Sequence, residues 1–281
     1  MISSTYYNWR TDESGPRPGL SPAAERTSPS KSGIEVRVFL DVPYRANAGE
    51  RQKLDLYLPE QRDFPVVVFA HGGSWVSGDK ALHGHLGCFL AKHGIGAVLV
   101  NYQLAPQVRH PVPAQDLSRA FAWTHRHIAG YGGDPERLYL CGHSAGGHSA
   151  ALLGTDESFL AAEGLGFKHV QGVIAISGLY KIHWNVTLAR LGFVFRHSDK
   201  TVASPFWNIQ TGCPPFLVLL AGKELWTLSR QAFRFHNRLL QHKCRSHLLV
   251  AHGEDHSTII QTASLPTAEH GEAIVKFIHE G

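Results

Sequence analysis

The sequence predicts an α/β domain with a mostly parallel central sheet and helices on both faces. Three observations carry this. Several short apolar runs, among them "PVVVFA", "GAVLVNY" and "PFLVLLAG", are continuous rather than alternating. That is the pattern of strands buried on both faces. Stretches of helical periodicity separate them, and alternating strands and helices build a parallel sheet covered on both sides. The chain has 281 residues, 43% hydrophobic and 18% charged, which suffices for one large core.

The elements follow in order. Residues 11–32 hold Ser, Pro, Gly and Arg and almost nothing apolar. Such a stretch cannot bury enough surface to offset its ordering entropy. Residues 1–33 are therefore expected to be a flexible arm, and 34–281 the folded domain. "IEVRVFLDVPY" and "KLDLYLP" alternate on either side of the turn-rich "RANAGERQ", which predicts an antiparallel pair. Buried strands are expected over 65–70 and 96–102, at "RLYLCG", and over 170–177, 215–222 and 246–252. Helices are expected over 83–92, 113–128, 228–241 and 267–279. In the second of these, Leu117, Ala120, Phe121 and Trp123 recur at helical spacing. Residues 179–207 predict a small cap whose Tyr180, Trp184, Phe193, Phe195, Phe206 and Trp207 can wall an apolar pocket. Asp134 before Pro135 reads as the cap of a helix or turn, and Asp116 as an anchor for loops. There is no internal repeat and no linker to a second domain.

Charge and cysteine usage exclude several classes. The formal charge of +4 rests on 27 basic and 23 acidic residues spread along the chain. No basic stripe makes a case for nucleic acid. Cys88, Cys141, Cys213 and Cys244 form no CxxC pair, which argues against a disulfide scaffold and against a zinc site. The first three sit in apolar stretches and read as small buried hydrophobes. No run approaches the roughly 18 apolar residues of a membrane helix. The opening "MISSTYYNWR" lacks the order of a secretory signal. A cytoplasmic protein with a small-molecule partner, no membrane and no metal is the expectation; a homodimer is left open.

The chemistry concentrates in "LYLCGHSAGGHSAALLG". A predicted strand ends there, Gly142-His143-Ser144-Ala145-Gly146 follows, and small residues begin a helix. A sharp strand-to-helix turn lifts a serine above the sheet edge, and glycines two before and two after allow the close approach it needs. The following helix brings free N–H groups and its positive end to an oxygen that becomes negative. Ser144 is thus the candidate nucleophile. Upstream, "FAHGGSWVSGD" sets His71-Gly72-Gly73 after another strand. Its glycines can turn backbone N–H groups inward, so Gly72 or Gly73, with Ala145, are candidates to hold an oxyanion. Trp75 and His143, beside these two turns, are expected to touch substrate, with Ser74 as a further wall.

With "HGGSW", "NYQLAP", "YGGDPERLYLCGHSAGGHSAALL" and "GEDHSTII" in hand, the chain resembles the α/β-hydrolases of the hormone-sensitive-lipase-like esterase group, close to carboxylesterases and arylformamidases. The resemblance covers nearly everything between residues 39 and 279. It implies an α/β-hydrolase fold and the chain order serine, acid, histidine. The base belongs in the loop after the last strand, where His256 stands. His252 lies too close to the strand, and His270 and His279 fall on the last helix. The acid belongs after the preceding strand, which selects Glu224. The group often carries Asp there, followed by Arg-Gln on the next helix; here Glu224 precedes Arg230-Gln231 at that spacing. Asp255 is the rival and Asp199 a distant third. The expected reaction is hydrolysis of a carboxylic ester through an acyl-enzyme, with no cofactor. An arylformamidase acting on N-formylkynurenine is the alternative. A catalytically silent binder is the alternative from another class, disfavoured by the intact serine, histidine and acid.

Overall fold

The computed structural model describes residues 25–28, 35–182 and 194–280. Nine strands form one sheet: β1 (Glu25–Ser28), β2 (Val36–Pro43), β3 (Lys53–Leu58), β4 (Phe64–Ala70), β5 (Gly96–Val100), β6 (Gly133–His143), β7 (Gly172–Ile176), β8 (Phe216–Ala221) and β9 (Ser246–Ala251). Their spatial order is β1-β2-β3-β5-β4-β6-β7-β8-β9. β1, β2 and β3 pair antiparallel, as do β3 and β5. From β5 across to β9 every pairing is parallel. The helices are α1 (Gly84–Lys92), α2 (Val112–His127), α3 (Ala145–Leu153), α4 (Ser158–Ala161), α5 (Pro205–Asn208), α6 (Trp226–Gln241), α7 (Thr258–Thr262) and α8 (Glu269–Glu280).

The continuous apolar runs become strands because both of their faces are covered. All seven residues of β4 are buried. Val66, Val68 and Ala70 join one core with Leu117 and Phe121 of α2, Ala150 and Leu153 of α3 and Phe235 and Leu239 of α6. Val67 and Phe69, one residue out of step, join the other with Leu86 and Phe89 of α1 and Ile274 and Ile278 of α8. The period-two alternation of a strand thus distributes one apolar run between two helical layers.

This topology also positions the site. From β4 the chain crosses to β5 on one side, then returns through α2 to β6 on the other. The loops after β4 and β6 diverge at this switch point, where open α/β sheets leave a crevice at the strands' carboxyl ends. Those loops carry His71-Gly72-Gly73 and Ser144.

The structure qualifies several expectations. The arm expected over 1–33 contributes an edge strand, because Glu25–Ser28 pairs in register with residues 36–39 of β2; its other residues lie outside the described residues. Of the cap, 183–193 lie outside them too, with Trp184 and Phe193. Asp134 caps a turn, accepting from the Glu136 N–H at 2.9 Å, and not a helix, since 133–143 form β6. Cys88 is only partly buried, whereas Cys141, Cys213 and Cys244 are buried. Asp116 does anchor loops: it is fully buried and accepts from Gln52, Gln103 and Arg119. Among the described residues no helix is long and apolar enough to cross a membrane, and no cluster of three or more His, Cys, Asp and Glu could hold a metal ion.

Candidate active site

Ser144 ends β6 at a turn with φ 53° and ψ −113°, a left-handed conformation that a residue with a Cβ adopts only when its surroundings impose it. The surroundings are backbone. The Ser144 N–H donates to the Ile176 carbonyl of neighbouring β7 at 2.8 Å. A Cβ on Gly142 would stand 2.3 Å from Gly146, and one on Gly146 would stand 2.0 Å from the Ala70 carbonyl oxygen. Neither position admits a side chain. Ala145 opens α3, so its N–H precedes the helix's own hydrogen-bond ladder.

His256 lies on the loop between β9 and α7. Its Nε2 is 2.9 Å from Ser144 Oγ, and its Nδ1 is 2.8 Å from Glu224 Oε2. A carboxylate only accepts, so Nδ1 carries the hydrogen and Nε2 is left to accept from the serine. The Glu224 side chain has no exposed surface, while that of His256 is 34% exposed. Burial alone would raise the Glu224 pKa. Hydrogen bonds from His256, the Leu225 N–H and the Ser177 hydroxyl outweigh it and hold the carboxyl below the usual range. Asp255, the rival acid, is exposed and turns away: its carboxylate accepts from the N–H groups of Ser257 and Thr258. Asp199 accepts from the Arg196 N–H and the Ser198 hydroxyl, whereas His256 Nδ1 faces Glu224.

The loop after β4 is held from behind. Arg51 donates to His71 Nε2 at 3.0 Å, to the Gly78 carbonyl at 2.9 Å and to Asp79 at 3.1 Å. A guanidinium cannot accept, so the His71 hydrogen sits on Nδ1, which donates to the Gly72 carbonyl at 2.7 Å. Burial pushes the His71 pKa down to about 4 and keeps the ring neutral. Tyr102 stacks on that ring at 4.4 Å and donates to the His71 carbonyl at 2.7 Å. A planar trans peptide points its C=O and N–H in opposite directions. By holding the Gly72 carbonyl, His71 therefore also sets the direction of the Gly73 N–H.

The two expected substrate contacts fare differently. Trp75, at φ 60° and 2% exposed, packs edge-on against His148 and Phe195 at 5.0 and 4.9 Å and also forms part of the cleft wall over Ser144. His143 does not line the cleft. It is buried, burial lowers its pKa to about 4, and its Nε2 bonds to the His256 carbonyl at 2.7 Å. A strand alternates its faces, so the residue before the serine points beneath the histidine loop.

The cleft over Ser144 measures about 360 Å³. Ser74, Leu179, Tyr180, Phe206, Leu225 and Trp226 give its apolar and hydroxyl walls, and Lys181, Arg230, Gln231 and Arg234 its polar rim. Sequence reasoning missed Ser177 and this rim. Ser177 follows directly on β7, a place where α/β sheets collect functional groups, and that signal could have found it. The rim's arginines recur at every fourth residue, but nothing local ties that spacing to the cleft.

Fold and geometry together define a class. Chains of known structure share the architecture: esterase B from Lactobacillus Rhamnosis superposes with a TM-score of 0.73 at 19% identity, over 87% of this chain and 84% of that one. A truncated carbohydrate esterase from gut microbiota gives 0.76 at 18% identity, over 86% and 95%. The chain has the α/β-hydrolase fold. The BD-FAE family model matches residues 54–183. Esterase LipC of Mycobacterium tuberculosis is 30% identical over 78% of this chain and 60% of LipC. The probable isoprenylcysteine alpha-carbonyl methylesterase ICMEL1 of Oryza sativa subsp. japonica is 45% identical over 36% of this chain and 24% of its own length. The kynurenine formamidase of Salmo salar is 34% identical over 52% and 47%. The chain thus spans less than two thirds of these relatives.

Proposed function

We propose that the protein hydrolyses carboxylic esters through an acyl-enzyme, with Ser144 as nucleophile, His256 as base and Glu224 as acid. The observation that carries this reading is the continuous line of hydrogen bonds from Ser144 Oγ through His256 to a carboxylate with no exposed surface. In this reading His256 Nε2 takes the hydroxyl proton as Oγ bonds to the acyl carbon, and the carbonyl electron pair moves onto oxygen. The N–H groups of Ala145 and of Gly72 or Gly73 receive that charge. As the intermediate collapses, the bond to the leaving alcohol breaks and His256 returns the proton to it. Water then attacks the acyl carbon with His256 again as base, and Oγ leaves with the proton. Glu224 keeps the imidazole oriented and offsets its charge.

A cleft of about 360 Å³ holds more than an acetyl group. Each added methylene buried contributes about 0.8 kcal/mol, so kcat/KM should rise from acetyl to butyryl p-nitrophenyl esters by up to about tenfold. Ser144→Ala should abolish turnover apart from a weak residue due to binding and oxyanion contacts. A fluorophosphonate probe read by mass spectrometry should mark Ser144 alone; label on another serine would end this reading. The likeness to kynurenine formamidases supports a second reading, cleavage of an aryl formamide by the same groups. N-formylkynurenine in the same panel separates the two, because turnover above that of every ester would replace the ester reading.

A further inference from the structure

α6 carries Arg230, Arg234 and Arg238 at every fourth residue and contains no Asp or Glu in its 16 residues. That spacing gathers three like charges on one face, an arrangement that weakens a helix unless a partner repays it. Lys181, from the loop after β7, joins them. Its ammonium lies 4.2 Å from the Trp207 ring centroid and 5.2 Å from that of Phe206, and the Arg238 guanidinium lies 4.8 Å from Phe206. Arg230 lies 5.3 Å from the Trp226 ring. Partial burial together with Arg234 and Arg238 depresses the Lys181 pKa, as expected of cations that face one another.

Three of these cations, Lys181, Arg230 and Arg234, line the cleft over Ser144. Among the described residues none of the three is paired with a carboxylate. Glu224 is buried and bonded to His256, and the stretch 183–193 contains no acid. Gln231 adds a fixed neutral donor. Its Oε1 accepts from the Tyr180 and Lys181 N–H groups at 2.9 and 2.8 Å, which leaves its amide nitrogen, unpartnered among the described residues, at the cleft. Exposed arginines on a solvated face are ordinary. These instead line the cleft over the serine, with aromatic rings beside them and no acid among the described lining residues.

We propose that the site selects esters that carry a carboxylate on an apolar or aromatic body, held by Arg230, Arg234 and Lys181 with the Gln231 amide. The inference rests on the ester-hydrolase reading and deepens it by naming the substrate class. The body packs on Leu225, Trp226 and Phe206, while the anion replaces the counter-charge that the rim lacks.

The test compares matched esters that differ only in charge. 4-Butyryloxybenzoate against 4-butyryloxybenzamide puts the anion on the leaving group; mono-p-nitrophenyl glutarate against the corresponding glutaramate puts it on the acyl group. The wild-type protein should prefer the anion by about tenfold in kcat/KM in at least one pair. The preference should shrink several-fold between about 0.02 and 0.5 M NaCl, as screening shortens the reach of the charges. In Arg230→Gln/Arg234→Gln the ratio of anion to neutral should fall towards one, with circular dichroism reporting the fold. Turnover of the neutral esters with no preference for either anion overturns this inference and leaves the ester reading standing. A preference untouched by both salt and the double substitution also overturns it, by assigning the selectivity elsewhere. Failure to hydrolyse any of the four esters overturns both.

Discussion

Glu224 stands where α/β-hydrolases often carry Asp, and the longer side chain is accommodated by three donors. His256, the Leu225 N–H and the Ser177 hydroxyl together hold it ionised although it is buried. Replacing it by Gln should cost about 10³-fold or more in kcat, because the imidazole loses its orienting acceptor and its counter-charge. Asp255→Asn should change kcat by less than tenfold, since that carboxylate is exposed and caps the turn into α7. Steady-state kinetics of both variants decides the assignment, and the reverse ranking would move the acid to Asp255. Glu224 was legible because its place follows from strand order. Ser177 was missed although its place directly after a strand is a signal, because a serine there is common and only the pairing of β7 with β8 brings it to the carboxylate. The place of His143 was not legible for a similar reason: nothing local says that His256's carbonyl will lie against it.

At the scale of elements, the turn around Ser144 depends on backbone packed against backbone. A methyl group at Gly146 would sit 2.0 Å from the Ala70 oxygen and 2.5 Å from its carbonyl carbon. β4 lies mid-sheet and cannot yield. Gly146→Ala should destabilise the protein by about 3 kcal/mol, the upper range for overpacking, and should remove activity. Gly130→Ala, where an added Cβ meets nothing within 4 Å, should change stability by less than about 0.5 kcal/mol. Urea midpoints measure both; equal shifts would show that close approach does not hold the turn. The sequence pattern placed the start of α6 at Leu228, whereas the helix begins at Trp226. Trp226 and Thr227 are exposed, so they add nothing to the apolar periodicity by which a helix is recognised. Similarly, β1 escaped notice because an edge strand of polar residues is held by ladder hydrogen bonds rather than by apolar side chains.

For the whole molecule, three buried histidines and the half-buried His83 set the response to acid. Burial lowers the pKa of His71 and His143 to about 4, and of His83 and His148 to about 3. The unfolded chain binds these protons near pH 6.5. Between pH 6.5 and about 4 it therefore holds more protons than the folded one, and stability rises with pH. The stabilisation is complete above pH 6.5 and is lost as pH falls towards 4. At pH 5 each such histidine costs about 2 kcal/mol relative to neutral pH. Melting temperature should fall steeply from pH 7 to pH 5, and His143→Gln should flatten that slope. An unchanged slope would mean that His143 is protonated in the folded protein.

What the sequence by itself determined is what local pattern encodes: apolar runs for strands, helical periodicity for the layers, and glycines spaced for a turn that only glycine permits. From these came the sheet, Ser144 and its place after β6, and, through strand order, His256 and Glu224. What only the tertiary structure decided is which distant groups meet. The clamp of Arg51 on His71, Ser177 on Glu224, His143 beneath His256, and Lys181 beside the arginines of α6 each join residues from separate loops and elements. Their local sequence is free to vary without altering periodicity, so proximity arises only when the sheet brings its strand ends together at one edge.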